Sequence, residues 1–511
     1  MPAPHRHARR RLTQAAGLLA IGTLAGSLPL LWWRAQKHAP PINNRIAVLP
    51  LVNMSVNAAD EYFADGITEE LISRLSRIRG LEVIAHTSTA SYKGTKKKIG
   101  EISNELNVGT VLEGSVRREG SKVRITAQLI NAANETHLWS EDYDRELKEI
   151  FLVQTDIAQQ VANALVERIP LPGNAVPPPS TTYTKDLDAY DSYLKGRFFC
   201  SKGTVQDFHK ALPYFEDAIR RDPSYALAYA ALADVYGNLI GNEAAKEEWY
   251  SKARSSALRA LVLDESLAEA HASLGFVKAF HDYDHLEAEE AFQRALSLNP
   301  NSAMSRDWYS YYLLFFPRWD EAIAMQRRAV KLDPLAIIIS ADLGLVLVHA
   351  GRWDEAIEHL QEALTLDPAS AFLLGALGLA YAGKGMYPDA LAAFKKRIAS
   401  AGKDPEALGL LAYASALSGN TASALQSLKE MELAFEPGHA WSFATAYMGL
   451  ATRDGRYLNE MFAWLNSAHE ERAMDLVDIS SVRWKSFRSD PRMIALRNKL
   501  RLPSLNGVLR T

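Results

Sequence analysis

Residues 337–370 read IIISADLGLVLVHAGRWDEAIEHLQEALTLDPAS, and this stretch decides the fold. Apolar residues recur at helical spacing on either side of a glycine. Leu343, Gly344 and Leu347 share one face of a first helix, and Ala356, Leu360 and Ala363 one face of a second. Gly351 suits the left-handed turn between them. Pro368 cannot continue a helix and ends the unit. Gly344 and Ala356 are small where the helices cross, and Leu343, Leu347 and Leu360 fill the seam. The unit repeats. Pro300, Pro334 and Pro368 stand 34 residues apart, within the turns Asn299-Pro300, Asp333-Pro334 and Asp367-Pro368, with related turns at Asp222-Pro223 and Asp404-Pro405.

A 34-residue helix–turn–helix period resembles the tetratricopeptide repeat almost position for position. Leu347 stands where that pattern usually has Tyr and Leu360 where it has Phe. The next unit, residues 371–402, places Leu377, Gly378, Tyr381, Gly385, Tyr387, Ala390 and Phe394 at the same offsets. The preceding unit keeps Trp319, Ala322, Ala329 and Pro334, with Pro317 in place of the glycine. Upstream, Tyr229, Leu232, Ala233 and Tyr236 lead to Ala253 and Ala260 through a longer loop. Ala211, Phe215, Ala218 and Pro223 mark the first unit. After Pro405 the pattern weakens, with Ala422, Ala424, Ala444, Tyr447 and Gly449 suggesting two further units. A solenoid of such units offers a binding surface and seldom performs chemistry.

Residues 45–170 follow a different pattern, that of a compact α/β domain. Strands are expected at residues 46–49, 81–85, 111–117, 122–130 and 138–143, with a hairpin at Glu119-Gly120-Ser121. Helices are expected at residues 65–78, 99–106 and 150–168. Two βα units followed by antiparallel strands imply a mixed sheet with helices packed on it. The segments Ile46-Ala47-Val48-Leu49-Pro50, Phe63-Ala64-Asp65-Gly66-Ile67-Thr68-Glu69-Glu70-Leu71, Ser91-Tyr92-Lys93-Gly94, Val111-Leu112-Glu113-Gly114-Ser115-Val116 and His137-Leu138-Trp139-Ser140-Glu141 are similar to those of the TolB amino-terminal-like domain. The resemblance is to the version joined to tetratricopeptide repeats in bacterial regulators and class III adenylate cyclase proteins. That family usually begins with a winged-helix or cyclase module. Only about 44 residues precede the α/β domain here, too few for either, so the regulatory output is not carried over.

The amino terminus carries Arg6, Arg9, Arg10 and Arg11 ahead of an uncharged stretch at residues 12–33. At about 22 residues it is long enough to cross a bilayer, with Trp32 and Trp33 at its end. The reading is a single-pass anchor in the cytoplasmic (inner) membrane with residues 45–511 periplasmic; a cleaved signal peptide is the alternative. Gly22 and Gly26 form a GxxxG through which two anchors could pair as a homodimer.

The expected architecture is therefore multidomain: an N-terminal transmembrane helix, a small α/β domain with mixed sheet, and an all-α tetratricopeptide-repeat solenoid. The boundaries are a basic cytoplasmic tail at 1–11, the anchor at 12–33, a linker at 34–44, the α/β domain at 45–170, a Pro-rich linker at 171–185, the solenoid at 186–470 and a C-terminal cap at 471–511.

Composition limits the chemistry. The chain has 511 residues, 48% of them hydrophobic, a net charge of −3 and a single cysteine, so no internal disulfide can form and no polyanion is implied. No phosphate-binding loop, HExxH or Cys-based metal spacing is present, and no cofactor or metal is expected. Asp65 and Glu69 share a helical face, and Glu113, His137 and Glu141 lie on strand-rich segments; structure explains them better than catalysis. Lys93, Lys96, Lys97 and Lys98 read as a solvated loop, and nucleic acid is not expected.

The reading is a non-enzymatic, membrane-anchored scaffold or adaptor of the bacterial envelope with a protein or peptide partner. The alternative is a signalling or transcription-regulatory component with output through a partner. The repeat resemblance implies a groove lined by the first helix of each pair. Its offsets fall on Asp234 and Asn238, then Met304, Asp307 and Tyr311, then Ala341, Leu345 and His349. That set implies a largely apolar ligand surface with a few basic or hydrogen-bonding groups opposite Asp234 and Asp307.

Overall fold

The computed structural model describes residues 42–57, 60–166, 184–240, 246–435 and 438–503. The α/β part opens with β1 (Ile42–Val48) and β2 (Val52–Asn53), then α1 (Glu61–Ser76), β3 (Glu82–Val83), α2 (His86–Ala90) and α3 (Ile99–Leu106). A meander follows of β4 (Val108–Glu119), β5 (Lys122–Asn131) and β6 (Thr136–Glu146), closed by α4 (Ile150–Val166). The strand order is β3-β1-β4-β5-β6, with β2 paired to β4. β1 runs parallel to β3 and β4, while β4, β5 and β6 are antiparallel. This is the mixed sheet that the two βα units implied. Gly120 has a φ of 60° in the β4–β5 hairpin, a conformation that favours glycine.

A lone helix, Pro491–Lys499, closes the described chain, and helix pairs make up residues 187–470. They are α5 (Leu187–Cys200) with α6 (Val205–Arg221), α7 (Ala226–Ile240) with α8 (Lys246–Leu263), α9 (Ala268–Val277) with α10 (His285–Leu298), and α11 (Ala303–Leu313) with α12 (Trp319–Leu332). Then come α13 (Ile337–His349) with α14 (Trp353–Ala363), α15 (Ala371–Gly383) with α16 (Tyr387–Ala401), α17 (Pro405–Leu417) with α18 (Thr421–Ala434), and α19 (Ala440–Arg453) with α20 (Leu458–Glu470). The paired helices cross closely at their glycines. A Cβ on Gly344 would overlap the Leu360 side chain, and one on Gly378 would overlap the Phe394 ring. Gly351 and Gly385 turn between paired helices at φ of 76° and 82°.

The two parts share one core. Ile46, Leu112 and Ile157 of the α/β part belong to the same buried cluster as Phe215, Phe292 and Leu360 of the solenoid. Gly66 of α1 lies so close to α5 that a Cβ there would meet Leu194. The α/β part also grips the turns that end the repeats. Asn301 donates to the carbonyls of Ser76 and Leu81 at 2.8 and 2.7 Å. Ser88 donates to Asp333 at 2.5 Å, and the Ala85 amide to the Leu332 carbonyl at 2.8 Å. Arg45 donates to the Lys331 carbonyl at 2.5 Å, and Arg328 pairs with Glu82 at 2.7 Å.

Two expectations are corrected. Among the described residues no helix is long and apolar enough to cross a membrane. The longest, α8, has 18 residues and carries Glu247, Glu248, Lys252, Arg254 and Arg259. A transmembrane helix is thus no part of the described fold, and a single-pass inner-membrane placement loses its support. Residues 12–33, with Gly22 and Gly26, lie outside the described residues.

Candidate functional site

The 34-residue period aligns side chains into columns along the face built by the first helices. Met304, Ile338 and Phe372 occupy one column, each in the first turn of α11, α13 and α15. They are 39%, 51% and 59% exposed, so the column is an apolar strip open to solvent. Glu406 continues it on α17 and pairs with Arg397 at 2.9 Å. The next column, Asp307, Ala341 and Gly375, is small after Asp307. Ala341 and Gly375 line a cavity of about 60 Å3 together with Ile338, Phe372, Leu345 and Leu379.

A third column, Tyr311, Leu345, Leu379 and Tyr413, is covered by the chain itself. Residues 474–487 form two short 3-10 segments that run back along this face. Leu476, Val477, Ile479 and Trp484 are fully buried there. His349 Nε2 lies 3.0 Å from Asp478 Oδ1, Arg483 pairs with Asp478 Oδ2 at 2.8 Å, and Trp484 Nε1 donates to Asp478 at 3.0 Å. Burial raises the Asp478 carboxyl, but Arg483 and His349 overcome it and hold the group well below the usual carboxylate range. Tyr311 donates to Asp475 at 3.4 Å, and the Arg483 guanidinium stacks over the Tyr413 ring at 5.2 Å. Ser480 donates to the Phe315 carbonyl at 2.7 Å and accepts from Arg497 at 2.8 Å.

The remaining expected residues divide between two settings. Asp307 is buried between helices, accepting from Gln326 at 2.5 Å. Burial pushes its carboxyl up to about 6, and Asp342 beside it is also pushed well up, by burial and by Asp307. Asp234 and Met304 line a cavity of about 250 Å3 between the solenoid and the α/β part, whereas Asn238 turns back to its own helix, donating to the Asp234 carbonyl at 2.9 Å. Met304 thus belongs both to the open strip and to this cavity, Ala341 and Leu345 border the strip, and Tyr311, Leu345 and His349 face the returning segment. Ile338 and Phe372 are not among the expected residues, although they lie one and two periods after Met304.

The α/β candidates are held by ion pairs. Lys93 binds Asp65 at 2.6 Å and Glu61 at 2.7 Å, while Glu69 pairs with Arg197. His137 and Glu141 are exposed on β6. Among the described residues no group of three or more His, Cys, Asp or Glu could hold a metal.

Comparison with known proteins bears on both parts. Residues 334–403 and 376–440 match tetratricopeptide repeat families. The chain contains tetratricopeptide repeats, an architecture suited to protein–protein interaction. Residues 42–160 match the second domain of HilA/YgeH-like transcriptional regulators. The expected TolB amino-terminal-like domain is not shown by these matches. The chain is 39% identical over 193 residues to "Putative adenylate cyclase 3" of Rhizobium meliloti (strain 1021), covering 38% of this chain and 32% of that protein. It is 22% identical over 298 residues to the transcriptional regulator HilA of Salmonella typhimurium (strain LT2), covering 58% of this chain and 52% of HilA. The chain therefore spans between a third and a half of these relatives. Among solved structures it is similar to the Cut9–Hcn1 complex, with 17% identity, a TM-score of 0.41 and coverage of 59% of this chain and 56% of that one.

Proposed function

We propose that this chain is a non-enzymatic interaction component that binds a protein or peptide partner along the open strip of its first-helix face. The observation that supports the reading is the exposed column Met304, Ile338 and Phe372, one large apolar side chain per repeat. Ala341 and Leu345 border it, and Glu406 with Arg397 closes one end. Surface columns of this kind have a cost in water and are repaid by burial against a partner. The α/β domain at 45–170 and the solenoid at 186–470 act in this reading as one body. The α/β part buttresses the repeat turns, and the returning segment fixes the inner column. Of the eight expected groove residues, Asp234, Asn238, Asp307, Tyr311 and His349 serve the scaffold or the cavity, Ala341 and Leu345 form the floor beside the strip, and Met304 is the one that the partner would touch directly. The test is capture of partners by the full chain, comparing wild type with Ile338→Asp and Phe372→Asp. The reading expects capture to be lost in both and retained in Val262→Asp, on an exposed site of α8.

A second reading is favoured by the match of residues 42–160 to a transcriptional-regulator domain. In it the chain is a signalling or regulatory component, and the captured partner carries the output. Identification of a cyclase or a DNA-binding protein among partners lost from Phe372→Asp would decide for it.

A further inference from the structure

The first and third columns of the first-helix face share one layout. Met304, Ile338, Phe372 and Glu406 stand seven residues before Tyr311, Leu345, Leu379 and Tyr413 on the same four helices, α11, α13, α15 and α17. Seven residues are about two turns, so the columns run side by side on one face, about 10 Å apart. The third column has its occupant in residues 474–487. Asp475 meets Tyr311 of α11, Asp478 meets His349 of α13, and the Arg483 guanidinium lies over the Tyr413 ring of α17. The same segment buries Leu476, Val477 and Ile479. The chain thus displays in cis the kind of segment this face accepts: apolar side chains followed by a cation at α17.

The first column keeps the same order without the cover. Ile338 and Phe372 are more than half exposed, and Glu406 is exposed on α17. The α17 end is acidic. One guanidinium, Arg397, serves both Asp404 and Glu406, at 3.2 and 2.9 Å. Its side chain is 8% exposed, whereas those of Asp404 and Glu406 are 42% and 62% exposed. The cation is therefore turned inward, and two carboxylates against one guanidinium leave an excess of negative charge facing solvent.

We propose that the partner segment in the open strip is an apolar stretch ending in a lysine or arginine, laid beside residues 474–487 with its cation on Glu406 and its apolar side chains on Phe372, Ile338 and Met304. The inference rests on the reading of the strip as the partner surface and names the chemistry that this surface selects. Apolar burial supplies the affinity. The exposed carboxylate at one end fixes which way the segment lies and rejects acidic ones.

The test is a fluorescence-anisotropy titration of the full chain with three labelled synthetic peptides. All carry leucines along one face; one continues into a lysine, one into a glutamine and one into a glutamate. The lysine peptide should bind most tightly, about tenfold better than the glutamate peptide. Glu406→Lys should invert that order, Glu406→Gln should make the three bind alike, and Phe372→Asp should abolish binding of all three, with melting of each variant checked against wild type. No binding by any peptide at millimolar concentration, or binding that Phe372→Asp leaves intact, would overturn the strip as the partner surface and this inference with it. Binding that Phe372→Asp abolishes but that shows no charge preference, or a preference that survives both Glu406 substitutions, would overturn this inference alone.

Discussion

His349 of α13 lies 3.0 Å from Asp478, joining the middle of the solenoid to a segment that returns from its far end. Both side chains are 6% exposed, so the pair sits in the interior of the molecule. A residue near the C-terminus thereby becomes part of the face that a partner would otherwise reach.

Removing one member of such a pair leaves the others buried and unmatched. Asp478→Ala should lower stability by about 3–5 kcal/mol in urea unfolding. The carboxyl is held below its ordinary value in the folded chain, so its contribution is present above the unfolded-state pKa. It is lost as pH falls below about 4 through the lower folded value. The difference between wild type and Asp478→Ala should therefore shrink in strong acid.

Asp307 and Asp342 have the opposite sign. Burial raises both in the folded chain, so folding binds protons that the unfolded chain has released. Stability from Asp307 is present at low pH and declines as pH rises from about 4 through about 6, and Asp342 acts in the same direction. Asp307→Asn keeps an acceptor for Gln326 and removes the charge. Its melting temperature should exceed that of wild type at pH 7.5, with the gap closing at pH 4.5.

The junction of the two parts rests on named side chains. Asn301→Ala would leave the carbonyls of Ser76 and Leu81 without their donor, at a cost of about 1–3 kcal/mol. Hydrogen exchange should then rise in α1 and around β3, with α15 to α18 unchanged.

Much of this architecture is legible in the sequence because it depends on local spacing. Gly344 and Gly378 announce helix crossings by their offsets, and α3 begins and ends where its apolar pattern does. The open strip is legible in part. One period after Met304 comes Ile338, and one after that Phe372, although nothing local says that they remain uncovered. The return of residues 474–487 could not be read in this way. Asp478 has no period, and its partners, His349 and Arg483, are brought together only once the solenoid has formed. The cavity around Asp234 is hidden for the same reason, since α1 and α7 meet only in the folded chain.

The central claim is that the column Met304, Ile338 and Phe372 is the partner surface. The most direct measurement is site-specific photo-crosslinking in cells from position 372, compared with position 262 on α8. The account predicts partner adducts at 372 that disappear in an Ile338→Asp background, and none at 262. Equal adducts at both positions, or adducts at 372 that persist with Asp at 338, would contradict it.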